Sequence, residues 1–261
     1  LLLLGVHIGV ALGLVGMAGM AYMVGLDAAI SSAADTIYHK IASFDLITIP
    51  LFILMGYLAS AGGISANVFK ALNQWVGRYK SGVGVSTVMS CTAFGAVTGS
   101  SLVTASVFAS ICAPEMRKFG YDKKIAYGIC ASGGMIGMLI PPSILMVIYG
   151  VLAGESIGRL LIAGVTPGIL LMVVFSLTIM LLGAWWPNLI KAQDSSRRYT
   201  WREKLVGLVG VWQVWFVALV IFGGIFGGIF NPTEAAAVAS SFLFFILLFS
   251  KFKQSWPLFK Q

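Results

Sequence analysis

The chain has 261 residues, of which 59% are hydrophobic and 10% charged, with a mean hydropathy of +0.95. A soluble globular domain carries about 25% charged residues, so the composition excludes one and implies an integral membrane protein with several spans. The formal net charge of +8 does not indicate nucleic acid, because Lys and Arg fall in short clusters between apolar runs, as in cytoplasmic loops.

A membrane-spanning helix needs about 20 apolar residues. In chain order the candidates are 1–26, the shorter 47–62 beside Pro50, then 83–114, 125–153, 160–186, 206–230 and the shorter 235–250. Leu1 is not an initiator and residues 1–4 already read as helix interior, so a truncated N-terminus is expected. Two runs are too long for one span and carry a polar break. The run 83–114 is interrupted at Thr98-Gly99-Ser100-Ser101, and 125–153 at Pro141-Pro142-Ser143.

The charges supply a topology. Arg78 and Lys80 precede 83–114, and Arg117, Lys118, Lys123 and Lys124 follow it. With both clusters in the cytoplasm, 83–114 enters and leaves on one side as a re-entrant helical hairpin with its tip near 98–101. All of the 17 basic residues except Lys40 and Arg159 then fall inside, including Lys70, Lys191, Arg197, Arg198, Arg202, Lys204, Lys251, Lys253 and Lys260. A full crossing by 83–114 would abolish that bias, so the positive-inside rule favours the hairpin. Two amphipathic stretches lie among these loops. The stretch 65–80, with Val68, Leu72 and Trp75, reads either as a helix in the cytoplasmic interface or as an ordinary connector. The stretch 196–204 mixes Arg197, Arg198 and Arg202 with Tyr199 and Trp201, and reads as an interfacial anchor.

The breaks carry the chemistry. Irregular backbone at membrane depth is tolerated only where protein or a water-filled cavity satisfies its N–H and C=O groups, and broken helices are where secondary transporters hold ions and substrates. Thr98, Ser100, Ser101 and Thr104 offer hydroxyls, and Gly99 lets the backbone turn. The first arm would end in free carbonyls, suited to a cation, and the second would begin in free N–H groups, suited to an anion and capped by Ser100 or Ser101. At the second break Pro141 and Pro142 donate no N–H and leave carbonyls around Met138–Ile140 without helical partners. Gly133, Gly134 and Gly137 would let this helix approach the tip closely, and Ser143 could cap the half-helix beyond. The two breaks together would make one oxygen-lined site. A small-residue helix contact plus a proline kink is the plainer alternative.

Other features read as structural. Apart from His7 the apolar interiors hold no ionisable Asp, Glu, Lys, Arg or His, which argues against a proton relay, a zinc site or a Ser–His–Asp triad. Cys91, Cys112 and Cys130 read as small apolar residues. Asn231-Pro232-Thr233-Glu234 reads as a helix start with a capping box, and Gly223, Gly224, Gly227 and Gly228 as G-x-x-x-G spacings for helix packing. A pore loop at 98–101 would make the chain a channel, and a membrane scaffold is a third reading. An enzyme is not indicated.

Five stretches, in this order, resemble one family: Ile49-Pro50-Leu51-Phe52-Ile53-Leu54-Met55-Gly56, Thr98-Gly99-Ser100-Ser101, Pro114-Glu115-Met116-Arg117-Lys118 with Gly120-Tyr121-Asp122, Ile140-Pro141-Pro142-Ser143, and Pro232-Thr233-Glu234-Ala235-Ala236-Ala237. They resemble the large membrane subunit of tripartite ATP-independent periplasmic (TRAP) transporters over nearly the whole chain. The resemblance implies an all-α elevator-type secondary transporter with two inverted repeats, each with a hairpin and a broken helix. It also implies sodium-driven import of an organic acid, without a cofactor, together with a small membrane subunit and a periplasmic substrate-binding protein in a bacterial or archaeal inner membrane. On that pattern 1–82 would be scaffold helices and an interfacial arm helix, and 83–159 a transport-domain part (hairpin 83–114, broken helix 125–153). Residues 160–261 would be scaffold with the basic connector and the start of the second repeat. No second hairpin or Pro-Pro break precedes Gln261, so an incomplete copy is expected. By position, sodium would be held by Gly99, Ser100, Ser101, Gly137, Ile140, Pro141 and Pro142, and substrate by Ser101, Thr104 and Ser143.

Overall fold

The computed structural model describes residues 5–190 and 199–255. Residues 1–4, Lys191, Arg197, Arg198 and Lys260, which enter the expectations above, lie outside the described residues. The described residues form helices and turns with one isolated bridge between Tyr121 and Ile190, and no strand. The chain divides into two units, 1–46 and 47–261.

The first unit holds α1 (Ile8–Val24) and α2 (Leu26–Ile41), which pack on each other. The His7 Nδ1 caps α1 by accepting from the Gly9 N–H at 3.4 Å, a structural role for the one histidine in an apolar run. Only Ala11 and Ala29 of these two helices are buried, so the apolar side chains of α1 face outward as they would toward lipid.

The second unit runs α3 (Thr48–Ala61), α4 (Ile64–Val76), α5 (Gly82–Thr98), α6 (Ser101–Lys118), α7 (Lys123–Gly137), α8 (Ile144–Ala153), α9 (Ile157–Trp185), α10 (Trp201–Val209), α11 (Trp212–Ala218), a π-helical turn Leu219–Gly223, α12 (Gly224–Phe226) and α13 (Pro232–Ser255). Among the described residues three stretches are long and apolar enough to cross a membrane, Phe44–Ala61, Ile157–Trp185 and Pro232–Phe249. The chain is thus a multi-pass all-helical membrane protein.

α5 is the centre of this unit, buried at 14 of its 17 residues and packed on α3, α4, α6, α7, α9 and α11. Its sequence explains why. Lipid offers no hydrophobic drive for helix association, so close packing relies on small residues. The small polar side chains of α5 satisfy themselves on its own backbone. The Thr87 hydroxyl donates to the Val83 carbonyl and the Thr92 hydroxyl to the Val88 carbonyl, both at 2.8 Å. The three cysteines are buried in α5, α6 and α7, where the Cys130 thiol donates to the Phe108 carbonyl at 3.4 Å.

Two local expectations change. Residues 206–230 do not form one straight helix: α10 and the stretch Trp212–Phe226 meet at a 55° bend. The bend falls at Gly210-Val211, between the two helices, and the Trp215 indole N–H donates across it to the Leu208 carbonyl at 3.2 Å. The glycines at 223–228 do not seat a second helix. The nearest neighbour of Gly224 is the Phe230 ring, and Gly228 turns left-handed at φ +65, so the chain folds back locally. The α13 start shows the Glu234 half of the capping box, its carboxylate accepting from the Asn231 N–H at 2.8 Å. The amphipathic stretch after Ser65 is a helix, α4, that buries Ile64, Val68, Phe69 and Ala71 against α5 and α10.

Candidate functional site

α5 ends where Gly99 enters the left-handed region at φ +61 and its N–H bonds back to the Gly95 carbonyl at 2.8 Å. α6 starts two residues later and returns antiparallel. Thr98 meets Thr104 hydroxyl to hydroxyl at 2.7 Å, and Phe94 meets Phe108 edge-on at 5.5 Å between ring centroids. Residues 82–118 are therefore a helical hairpin with its turn at Gly99-Ser100.

α7 runs parallel to α5 along a seam of small residues. A Cβ on Gly133 would stand 2.9 Å from the Cys91 side chain, and one on Gly137 2.8 Å from the Gly95 Cα. One on Gly99 would stand 2.6 Å from the Pro142 carbonyl oxygen. On α5 the contacts recur every four residues, at Cys91, Gly95 and Gly99, the spacing of one helix face. The expectation that Gly133, Gly134 and Gly137 permit close approach is met, Gly134 lying against Ala105 of α6.

The seam delivers the two breaks to one place. The Ile144 N–H, first in α8, donates to the Gly99 carbonyl at 3.3 Å. Ser100 and Ser143 cap α6 and α8 in nearly the same extended conformation (φ −127, ψ 122 and φ −122, ψ 120), each hydroxyl accepting from the N–H three residues on at 3.4 Å. Pro141-Pro142 is joined by a cis peptide bond. The carbonyls of Gly137 and Met138 lack the α-helical donors that residues 141 and 142 would otherwise supply. From behind, Gly164 and Gly168 of α9 receive Leu139 and Ile140. Two helix carboxyl ends (α5, α7) and two helix amino ends (α6, α8) thus converge where no side chain carries a charge.

Of the residues singled out in the sequence, Gly99, Gly137, Pro141, Pro142, Thr104 and Ser143 are buried, and Ser100, Ser101 and Ile140 are half-buried. The structure brings Gly99, Ser100, Pro142 and Ser143 together through the contacts above. The Thr104 hydroxyl is engaged by Thr98, and that of Ser143 by the Met146 N–H.

Two contacts have no local signal in the sequence. A Cβ on Gly56 would stand 2.8 Å from the Thr98 Cα, so α3 lies directly on the hairpin tip. The Thr48 hydroxyl, at the start of α3, bonds the Thr233 hydroxyl, at the start of α13, both buried. The stretches 49–56 and 232–237 are therefore parts of one packing unit behind the tip.

The family described as "Tripartite ATP-independent periplasmic transporter, DctM component" matches residues 1–259. This chain belongs to the DctM family of TRAP transporters. It is 34% identical over 250 residues to the C4-dicarboxylate TRAP transporter large permease protein of Vibrio cholerae, covering 95% of this chain and 54% of that protein. The ectoine TRAP transporter large permease protein of Halomonas elongata is 34% identical over 238 residues, 91% of this chain and 54% of that protein. The 2,3-diketo-L-gulonate TRAP transporter large permease protein of Escherichia coli K12 is 33% identical over 235 residues, 88% of this chain and 53% of that protein. The chain spans about half the length of the curated relatives it matches. DctM relatives are named as transporter permeases, not enzymes, and the channel reading of 98–101 gains nothing from them.

Proposed function

We propose that this chain is part of a sodium-coupled permease that imports an organic acid handed over by a periplasmic substrate-binding protein. It works beside a small membrane subunit in a bacterial or archaeal inner membrane and carries its site across by an elevator movement. The observation that supports this reading is the convergence of two helix carboxyl ends and two amino ends at the Gly99–Ile144 bond.

Helix carboxyl ends carry partial negative charge and amino ends partial positive charge. Broken helices use the first for cations and the second for anionic substrates. On this reading sodium takes carbonyl and hydroxyl oxygens from Gly99, Ser100, Ser101, Gly137, Ile140, Pro141 and Pro142. The substrate carboxylate faces the starts of α6 and α8, with Ser101 as the accessible hydroxyl. It reaches Thr104 and Ser143 by exchanging the bonds these make to Thr98 and Met146. The hairpin fits a re-entrant element, because α5 has 17 residues and is about 25 Å long at 1.5 Å per residue. That falls short of a hydrocarbon core of about 30 Å. Relatives at nearly equal identity are named for C4-dicarboxylate, ectoine and 2,3-diketo-L-gulonate, so the reading stops at the class of organic acid.

The test is uptake by the complete permease, reconstituted with its small subunit and binding protein in proteoliposomes. Uptake requires an inward sodium gradient and a loaded binding protein. Equal uptake with potassium in place of sodium overturns the coupling.

A further inference from the structure

A second feature lies on the face of α5 turned away from α7. An apolar cavity of about 170 Å³ opens between α4, α5 and the bent α10–α11 pair, lined by residues including Leu72, Ala96, Leu208, Val214 and Trp215. A cavity with such walls does not hold water.

One helical turn away on both α4 and α10 stands a cationic, aromatic cluster. Trp75 follows Leu72 by three residues, and Lys204 precedes Leu208 by four, so each pair shares a helix face. The Lys204 ammonium lies 5.4 Å from the Trp75 ring centre and 5.3 Å from that of Trp201, the two indoles meeting edge-on at 5.9 Å. The Trp75 indole N–H donates to the Lys204 carbonyl at 3.3 Å, which fixes α10 on α4. No carboxylate lies within ion-pair distance of Lys204 among the described residues. The adjacent Glu203 carboxylate accepts from the Thr200 N–H at 2.7 Å and the Thr200 hydroxyl at 3.0 Å.

We propose that the cavity and the Lys204 cluster together bind one anionic phospholipid. The phosphate sits at Lys204, and an acyl chain enters between Leu72, Leu208 and Trp215. Tryptophans favour the membrane interface, where an indole has an apolar body and a polar tip. Basic residues there attract anionic headgroups by about 1 kcal/mol each, about fivefold in affinity per residue. The inference does not depend on sodium coupling or on the substrate.

The probe is phosphatidylglycerol or phosphatidylcholine with brominated acyl chains, added to this chain in a neutral detergent, since bromine quenches tryptophan on contact. Brominated phosphatidylglycerol is expected to reach half-maximal quenching at about one fifth the concentration of the phosphatidylcholine form. Trp215→Phe removes part of the quenchable emission. Lys204→Gln brings the two lipids together and Lys204→Arg restores the difference. Ala96→Leu, which narrows the cavity, weakens quenching of Trp215 by both. Equal midpoints in the unsubstituted chain, or a preference that survives Lys204→Gln, overturn the proposal. Should a variant lose its helical circular dichroism, competition in the unsubstituted chain decides: quenching displaced by unbrominated phosphatidylglycerol supports the site, and undisplaced quenching overturns it.

Discussion

Replacing Gly99 by alanine tests whether the two breaks form one structure. Two terms add. An L-residue in the left-handed region costs about 1–2 kcal/mol. The new Cβ would also stand 2.6 Å from the Pro142 carbonyl oxygen and 3.5 Å from the Ile144 nitrogen. Both are backbone atoms that cannot rotate away, so the α8 start must shift. The shift weakens the 3.3 Å bond from the Ile144 N–H to the Gly99 carbonyl, and an unmade buried bond costs about 1–3 kcal/mol. The sum is a loss of about 2–5 kcal/mol. Gly154 is the control: it too is left-handed, at φ +71, but a Cβ there meets nothing within 4 Å. Gly154→Ala carries the conformational term alone, about 1–2 kcal/mol. Denaturant unfolding of both variants in one detergent, followed by helical circular dichroism, measures the difference. Equal losses would show that Gly99 is only a turn residue and that the Pro142 contact contributes nothing.

Three further tests probe the packing of the hairpin. Gly95→Ala drives a methyl into the Gly137 Cα, while Gly128 of the same α7 has open space around its Cβ position. The first should lose about 1–3 kcal/mol or more and Gly128→Ala should gain about 0.5–1 kcal/mol; unfolding midpoints that move in the same direction refute the backbone seam. The Tyr121 hydroxyl accepts from the Gly84 N–H at 3.1 Å, near the start of α5, so Tyr121→Phe should cost about 1–3 kcal/mol. Burial also pushes the Tyr121 phenol up to about 12 from its ordinary 10.0. A raised pKa favours the protonated fold, so this stabilisation is complete below pH 10 and declines as pH rises from 10 to 12; a decline of the same size in Tyr121→Phe would assign it elsewhere. Finally, Thr48→Val and Thr233→Val each strand the other buried hydroxyl, so the double variant should lose less than the two single losses added. Strict additivity removes the contact.

The sequence made the breaks legible because each sets glycine, proline and hydroxyl residues inside an apolar run. Capping chemistry then assigned Ser143, and Ser100 as one of two choices, since an N-cap needs a short side chain with an oxygen. The close approach of α7 was legible from Gly133, Gly134 and Gly137 for the same local reason. The contacts of Gly56 with Thr98 and of Thr48 with Thr233 were not, because they join residues 42 and 185 positions apart and no local pattern pairs them. The bend at Gly210-Val211 escaped because hydropathy is blind to direction: 206–230 is equally apolar whether straight or bent. The Gly223–Gly228 spacing misled because glycines that permit helix packing also permit the chain to fold onto Phe230.

A site without formal charge must rely on helix ends, and this sets how closely they have to meet. Each carboxyl end is equivalent to about −0.5 charge and each amino end to about +0.5, and the effect fades within one turn. On the proposed reading, α5 and α7 together present about one negative charge to a monovalent cation. α6 and α8 present about one positive charge to a single carboxylate. Neither sum holds if the ends separate by a few ångströms. That explains why the seam joins backbone to backbone at Gly95 and Gly137 and again at Gly99 and Pro142: long side chains there would change rotamer and loosen the spacing. The same reasoning gives α3 its place. With Gly56 against the Thr98 Cα at one end and Thr48 bonded to Thr233 at the other, it packs directly behind the hairpin tip.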